Sequence, residues 1–153
     1  MADIRTVFID MEHGADYALA GLGLEDDTSL DTAVIMSIFT NRRASDDDVL
    51  PPGSDDKQGS WMDSFADVEG DKIGSRLWLL ARAKLTADTV AKVKFYLDEC
   101  LAWLVTDGIA KAVNVTAEIA RYHPLGIIAS IIEIQRPDGT TTRYQFANLW
   151  RQE

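Results

Sequence analysis

Apolar residues recur every third or fourth position from Val90 through Val93, Leu97, Leu101 and Leu104, behind Thr86 and ahead of Gly108. That is the period of an amphipathic helix, begun by a residue whose side chain can take an unpaired N–H and stopped by one free to turn left-handed. It predicts the central core helix. Beyond it, Val113, Val115, Ala117 and Ile119 alternate with Asn114, Thr116 and Glu118, the two-residue period of a strand with one buried face. Leu125 to Ile134 is apolar on both alternations and predicts a strand covered on both faces. Arg136-Pro137-Asp138-Gly139 is a turn, and Thr142, Tyr144 and Phe146 alternate on a returning strand. The expectation is an α+β fold: an antiparallel C-terminal β-meander packed against a central helix and two shorter helices, with short N-terminal strands.

The first half is less regular. Val7, Phe8 and Ile9, then Tyr17-Ala18-Leu19 and Leu22-Gly23-Leu24, predict one or two short strands. Thr28 with Asp31 three residues on approximates a capping box, so a helix should follow. Its buried face would carry Leu30, Val34, Ile35 and Ile38, with Asp31 and Thr32 off that face and Arg42 and Arg43 complementing the dipole at its end. From Ala44 to Ser60 the pattern breaks into Asp46-Asp47-Asp48, Pro51-Pro52-Gly53 and Asp55-Asp56, a long acidic loop, whose length suits a contact arm or a mobile segment. Trp61 and Phe65 beyond it suggest an end pinned to the core or to a partner. Gly74-Ser75 would cap a short helix of about Arg76 to Lys84, with Leu77, Leu80 and Lys84 on one face.

At 153 residues and 46% hydrophobic, the chain is expected to form one domain over residues 1–153 with a real core. No apolar run reaches the roughly 18 to 20 residues of a membrane span, and the start lacks the features of a secretion signal, so assembly in the cytosol is expected. The single cysteine, Cys100, falls in the central helix as a small core residue. The net charge of −10 is polarised: residues 1 to 71 hold 17 acids and 4 bases, the remainder 8 and 11. An acidic surface repels phosphate backbones, which argues against nucleic acid, and it suits either solubility or packing against unlike neighbours.

Catalytic chemistry finds little purchase. His13 and His123 are far apart and lack metalloprotease spacing, and the aspartates of the loop lack the glycine and terminal glutamate of an EF-hand. Glu133-Ile134-Gln135 lacks the lysine of a metal-dependent nuclease strand, Gly21-Leu22-Gly23 has no phosphate-loop context, and no serine or cysteine sits in a nucleophile motif. No cofactor, metal or catalytic residue is assigned. A small metal-dependent hydrolase using the first-half aspartates stands as the alternative, with a peptide-binding adaptor as a third class.

Interaction chemistry has more support. Trp61, Trp78, Trp103 and Trp150 are large amphipathic residues, of which helix-borne Trp78 and Trp103 suit a core and Trp150, in an apolar tail, an interface. Arg42, Arg43 and Arg76 flank the acidic loop, and each could clamp its aspartates or those of a neighbouring subunit.

The ordered signatures Leu30-Asp31-Thr32-Ala33-Val34, Phe39-Thr40-Asn41-Arg42-Arg43-Ala44, Asp48-Val49-Leu50-Pro51, Gly59-Ser60-Trp61 and Gly74-Ser75-Arg76-Leu77-Trp78-Leu79-Leu80 resemble the family of gene product 46 of phage Mu, over nearly the whole chain. Distantly, the pattern is similar to the sheath-initiator group of phage T4. The resemblance implies a non-enzymatic structural component of a contractile phage or prophage tail baseplate. It would be a wedge subunit, present in several copies, that helps nucleate the sheath by β-strand pairing at the edge of the meander. Its partners would be other baseplate wedge proteins and tail sheath subunits, with no nucleic acid and no membrane. Its location would be the virion baseplate, and the host cytoplasm during assembly. Tyr144 and Phe146 on the last strand then join Arg42, Arg43, Trp61, Arg76 and Trp150 as interface candidates. One departure stands out: the sheath-initiator group commonly has Glu-Pro-Arg after its helix-end tryptophan, whereas Trp103 here precedes Leu104-Val105-Thr106.

Overall fold

The computed structural model describes residues 3–10, 14–27, 29–66, 68, 70–120 and 127–147. Six short strands come first: β1 (Asp3–Ile4), β2 (Thr6–Asp10), β3 (Gly14–Tyr17), β4 (Leu19–Ala20), β5 (Gly23–Leu24) and β6 (Asp26–Asp27). Helix α1 (Asp31–Phe39) follows, then an irregular arm with 3-10 turns at Trp61–Phe65 and Leu77–Leu80. The rest is helix α2 (Ala87–Leu101), the one-turn α3 (Trp103–Thr106) and strands β7 (Ala112–Ala120), β8 (Ile127–Gln135) and β9 (Thr141–Ala147).

Helix α2 starts where its sequence predicts. Thr86 is extended, and its Oγ1 accepts the N–H of Thr89 at 3.3 Å, satisfying one donor that the first turn leaves open. Val93, Leu97 and Leu101 on one stripe are fully buried, and Gly108, at φ +72°, ends the helical stretch after α3. Thr86→Ala removes the cap and should cost about 1 kcal/mol. Urea denaturation would show it as a lower midpoint with an unchanged slope.

The sheet has the order β7-β8-β9, antiparallel throughout. Its register aligns Val115 with Ile132 and Ile132 with Tyr144, so these three form one row on the inner face. Ile128, Ile132 and Ile134 of that face join Val34 and Ile38 of α1 and the stripe of α2 in a single core cluster. The two helices therefore cover one face of the sheet. The architecture is α+β, with the C-terminal meander packed on helices as its periodicities predict.

Several local expectations need correction. The N-terminal segment holds six short strands where one or two were expected, because the chain changes partner at Arg5, Ala18 and Glu25, whose backbones bond to one another and divide the pairing into three short ladders. Thr32 is not off the buried face of α1. Its hydroxyl accepts the N–H of Thr6 at 2.9 Å and donates to the carbonyl of Ile4 at 3.0 Å, so the N-terminal strands bury it. Arg42 and Arg43 do not complement the dipole, since α1 ends at Phe39 and the chain turns extended at Thr40. The predicted helix of 76–84 shrinks to the 3-10 turn Leu77–Leu80, leaving Lys84 outside it. Strand β8 is fully covered on one face only; Ala129, Ile131 and Glu133 on the other are half-buried. Thr28, His13, His123 and Trp150 lie outside the described residues.

Candidate interaction surface

The signatures flanking the acidic arm are explained by a joint between residues 40–43 and 74–78. Ser75 donates its N–H to the carbonyl of Thr40 at 2.9 Å and accepts the N–H of Arg42 at 3.0 Å, a short parallel bridge centred on Asn41 and Ser75. The Ser75 hydroxyl donates to the carbonyl of Ile38 at 2.6 Å, satisfying an acceptor that the end of α1 leaves open. Trp78 donates its Nε1–H to the carbonyl of Arg42 at 2.8 Å. So close an approach demands glycine at 74: it sits at φ +97°, and a Cβ there would lie 2.3 Å from the Thr40 carbonyl oxygen. Gly74, Ser75 and Trp78 thus act together as one clasp.

Arg76 adds the lock. Its Nη1 donates to Asp48 at 2.8 and 3.0 Å and to the hydroxyl of Ser45 at 3.1 Å, and its Nε and Nη2 grip both oxygens of Glu99 at 3.0 and 2.8 Å. The guanidinium also lies 5.0 Å from the ring centre of Tyr96. One side chain therefore ties the acidic arm to helix α2. Arg76, Asp48 and Glu99 are 12%, 14% and 27% exposed at their side chains, so the charges are largely withdrawn from water. Burial pushes the Asp48 carboxyl up, but bonds from Arg76 and from the Ser45 N–H outweigh it and hold the group below the usual carboxylate range. For Arg76 burial acts downward, and the bonds to Asp48 and Glu99 outweigh it, keeping the guanidinium firmly charged.

Of the two clamps open to Arg76, the structure shows the internal one. Glu99 was missed by sequence reasoning, although its place two turns into α2 beyond Lys92 offered no signal to distinguish it from a solvated glutamate. The arm is further closed by the N–H of Ala44 on the carbonyl of Lys57 and by an ion pair of Lys57 with Asp46. Arg43 reaches the carbonyl of Gln58, and Arg42 enters the joint through its backbone.

The other candidates separate into core and surface. Phe146 is buried, meeting Phe8 and Phe39 edge-on at 5.8 and 5.6 Å, and Tyr144 donates its hydroxyl to Asp31 at 2.8 Å. Trp103 donates its Nε1–H to the hydroxyl of Ser37. Trp61 and Phe65, in contrast, are 74% and 76% exposed and touch each other edge-on at 5.9 Å, so neither pins the arm to the core. Their turn borders a cleft of about 460 Å³ between α1, Trp103 and residues 62–66 and 71–74. Burial pushes the Cys100 thiol in its wall up to about 12, so it stays protonated and unreactive at neutral pH. Among the described residues, no group of three or more His, Cys, Asp and Glu side chains is placed to hold a metal ion.

Helices on one face of an antiparallel sheet, with an acidic arm locked across one of them by an arginine, define a small α+β scaffold whose charged groups close the fold on itself. Its family follows from comparison. The model of the phage protein GP46 family matches residues 30–141, from the foot of α1 to the start of β9, and the chain belongs to that family. It is similar to "Baseplate protein gp46" of Escherichia phage Mu, 46% identical over 131 residues and 86% of each chain. It is also similar to "Mu-like prophage FluMu protein gp46" of Haemophilus influenzae, 34% identical over 150 residues and 98% of each chain.

Proposed function

We propose that this chain is a structural component of a contractile phage or prophage tail baseplate, folded as one domain. In this reading it is a wedge subunit that helps nucleate the sheath through strand pairing, with neighbouring wedge proteins and sheath subunits as partners. The name of the Mu relative supports the baseplate role. The observation that carries the mechanism is the margin of the sheet, where β9 pairs with β8 alone among the described residues.

The register says which groups that margin offers. At the turn, Arg136 donates its N–H to the carbonyl of Thr140, which sets the bonded positions of the ladder. Alternation then directs the N–H and C=O of Thr142, Tyr144 and Phe146 toward β8, and those of Thr141, Arg143 and Gln145 toward the open side. A strand added there would gain backbone hydrogen bonds, and the exposed side chains of Arg143 and Gln145 would help set its register. Trp61 and Phe65 supply a separate apolar contact, suited to a neighbouring wedge protein.

The test begins with mass spectrometry of density-gradient fractions of tails from producing cells, in which the chain should appear at a few copies per particle. Gln145→Pro then removes one outward N–H and no bond to β8, so the purified variant should keep its fold. Contractile tails should fall several-fold, up to roughly tenfold, because one net hydrogen bond of pairing is worth about 0.5 to 1.5 kcal/mol. Normal tail yield from Gln145→Pro and Arg143→Pro alike would remove strand pairing at this edge from the reading.

A further inference from the structure

The N-terminal strands meet in a three-way junction. β1 and β6 form a stem, aligning Asp3 with Asp27 and Ile4 with Asp26, and Arg5 extends it by donating its N–H to Glu25 at 2.7 Å. β2 and β3 leave the stem as one hairpin, anchored on α1 where Phe8 stacks on Phe39 at 4.5 Å. β4 and β5 leave as a second, shorter hairpin, aligning Leu19 with Leu24 and Ala20 with Gly23 around the two-residue turn Gly21-Leu22. Gly21, at φ +64°, takes the left-handed first position that such tight hairpin turns use. The junction is closed by the N–H of Ala18 on the Arg5 carbonyl and the N–H of Glu25 on the Ala18 carbonyl. An Arg5–Glu25 ion pair at 2.7 Å sits beside it.

This second hairpin is a finger with an apolar blade. Leu19 and Leu24 stand opposite each other and so share one face, both exposed, while Ala20 and Gly23 leave the other face thin. Leu22 at the tip is 110% exposed, as open as a leucine in an extended chain. From Tyr17 to Leu24 the sequence carries no charge, yet Asp16 precedes it and Glu25-Asp26-Asp27 follows. Single exposed leucines are ordinary, but three on one six-residue hairpin form a contiguous patch of the kind that marks an interaction site.

We propose that residues Leu19–Leu24 are an insertion element that seats its leucines in a narrow apolar slot, rimmed by lysine or arginine, on a different protein. The proposal rests on the baseplate reading only for where that protein is found. Charge chooses among the occupants. The cleft beside Trp103 on a second copy has Asp63 and Asp71 against Lys72 alone on its rim, the wrong charge to receive a finger flanked by acids in sequence. An anionic lipid surface is disfavoured in the same way, since interfacial elements carry basic flanks and this one carries acids. An unlike, basic-rimmed protein satisfies both the blade and its acidic flanks.

The experiment places the photo-crosslinker p-benzoylphenylalanine at position 22 of the full chain in tail-producing cells and maps adducts in gradient fractions. The expected result is one discrete adduct with a second protein, joined at an apolar peptide flanked by lysine or arginine. Leu22→Glu should reduce association with that protein by roughly tenfold or more, Leu22→Met should retain it, and both should melt with the parent because the tip is fully exposed. An adduct between two copies of this chain, or flotation of the purified protein with phosphatidylglycerol vesicles that Leu22→Glu abolishes, would overturn the proposal. Particles that contain the chain but yield no adduct at position 22 would also overturn it and leave the baseplate reading intact. A mapped adduct in cells whose tails lack the chain would do the reverse.

Discussion

Gly74→Ala should be the most damaging single-methyl change in the described chain. Two costs act together. Alanine at φ +97° is strained by roughly 1 to 3 kcal/mol, and its Cβ would fall 2.3 Å from the Thr40 carbonyl oxygen and 2.8 Å from its carbon. Neither obstacle is a flexible side chain. Relief requires the backbone of 74–76 to move off 40–42, which breaks the two Ser75 bridge bonds and strains the bond of the Ser75 hydroxyl to Ile38. The expected loss is about 4 kcal/mol, which for a chain of this size lowers the melting midpoint by about 8 to 16 °C. Gly108→Ala is the control, because Gly108 is also left-handed, at φ +72°, but a Cβ there meets nothing within 4 Å. It should cost only about 1 to 2 kcal/mol. Equal losses at the two sites, read by urea denaturation, would mean that the clasp does not close as described.

That clasp shows what a sequence reveals and what it hides. Helix α2 and the meander were legible because each repeats one physical rule along the chain: a buried position every 3.6 residues, then every second residue. Thr86 and Gly108 mark their limits through local chemistry that needs no distant partner. The clasp depends on a meeting of two segments more than thirty residues apart, and Gly74-Ser75 reads locally as an ordinary helix start. The serine hydroxyl could cap its own turn, yet its short bond runs to Ile38 while Leu77 approaches at 3.4 Å, and the turn behind it stays 3-10 and short. Thr32 escaped for the same reason: its place on the helix pattern is polar, and only strands from the N-terminus make it a core residue.

Candidate residues divided along that line as well. Arginine near an acidic loop signalled a clamp, but its second partner, Glu99, is visible only once α2 is laid against the arm. Alternation put Tyr144 and Phe146 on one face of a strand, and that face turns out to be the inner one, so the outward groups of β9 belong to Thr141, Arg143 and Gln145. The finger at Leu19–Leu24 was legible only as short strands near Tyr17-Ala18-Leu19 and Leu22-Gly23-Leu24, since strands two residues long carry too few positions to show which of them pair.

Arg76→Ala should open the arm and expose a pH dependence whose sign follows from Asp48. Removing the guanidinium leaves two carboxylates, 14% and 27% exposed, without their shared counter-charge, Asp48 keeping only its bonds from Ser45. Breaking a fully buried pair costs about 3 to 5 kcal/mol, and the partial exposure here places the expected loss near 3 kcal/mol. Arg76→Lys should recover less than half, because one ammonium cannot hold Glu99 through two nitrogens while also reaching Asp48. In the parent protein the folded Asp48 carboxyl lies below its ordinary 3.8, so its contribution is present above that value and is lost as pH falls through the folded-state value. In Arg76→Ala the bond and charge of Arg76 are gone while burial, which raises the group, and the Ser45 bonds, which lower it, remain. The stability that ionised Asp48 contributes therefore shrinks or disappears in the variant. The gap in stability between parent and variant should therefore be widest at pH 7 and narrow toward pH 3, measured by urea denaturation at both. A gap of constant size would make the lock a packing contact rather than an ionic one. Limited proteolysis at pH 7 should cut the variant within 46–56 and spare the parent, since the lock is what holds Ser45 and Asp48 of the arm against α2.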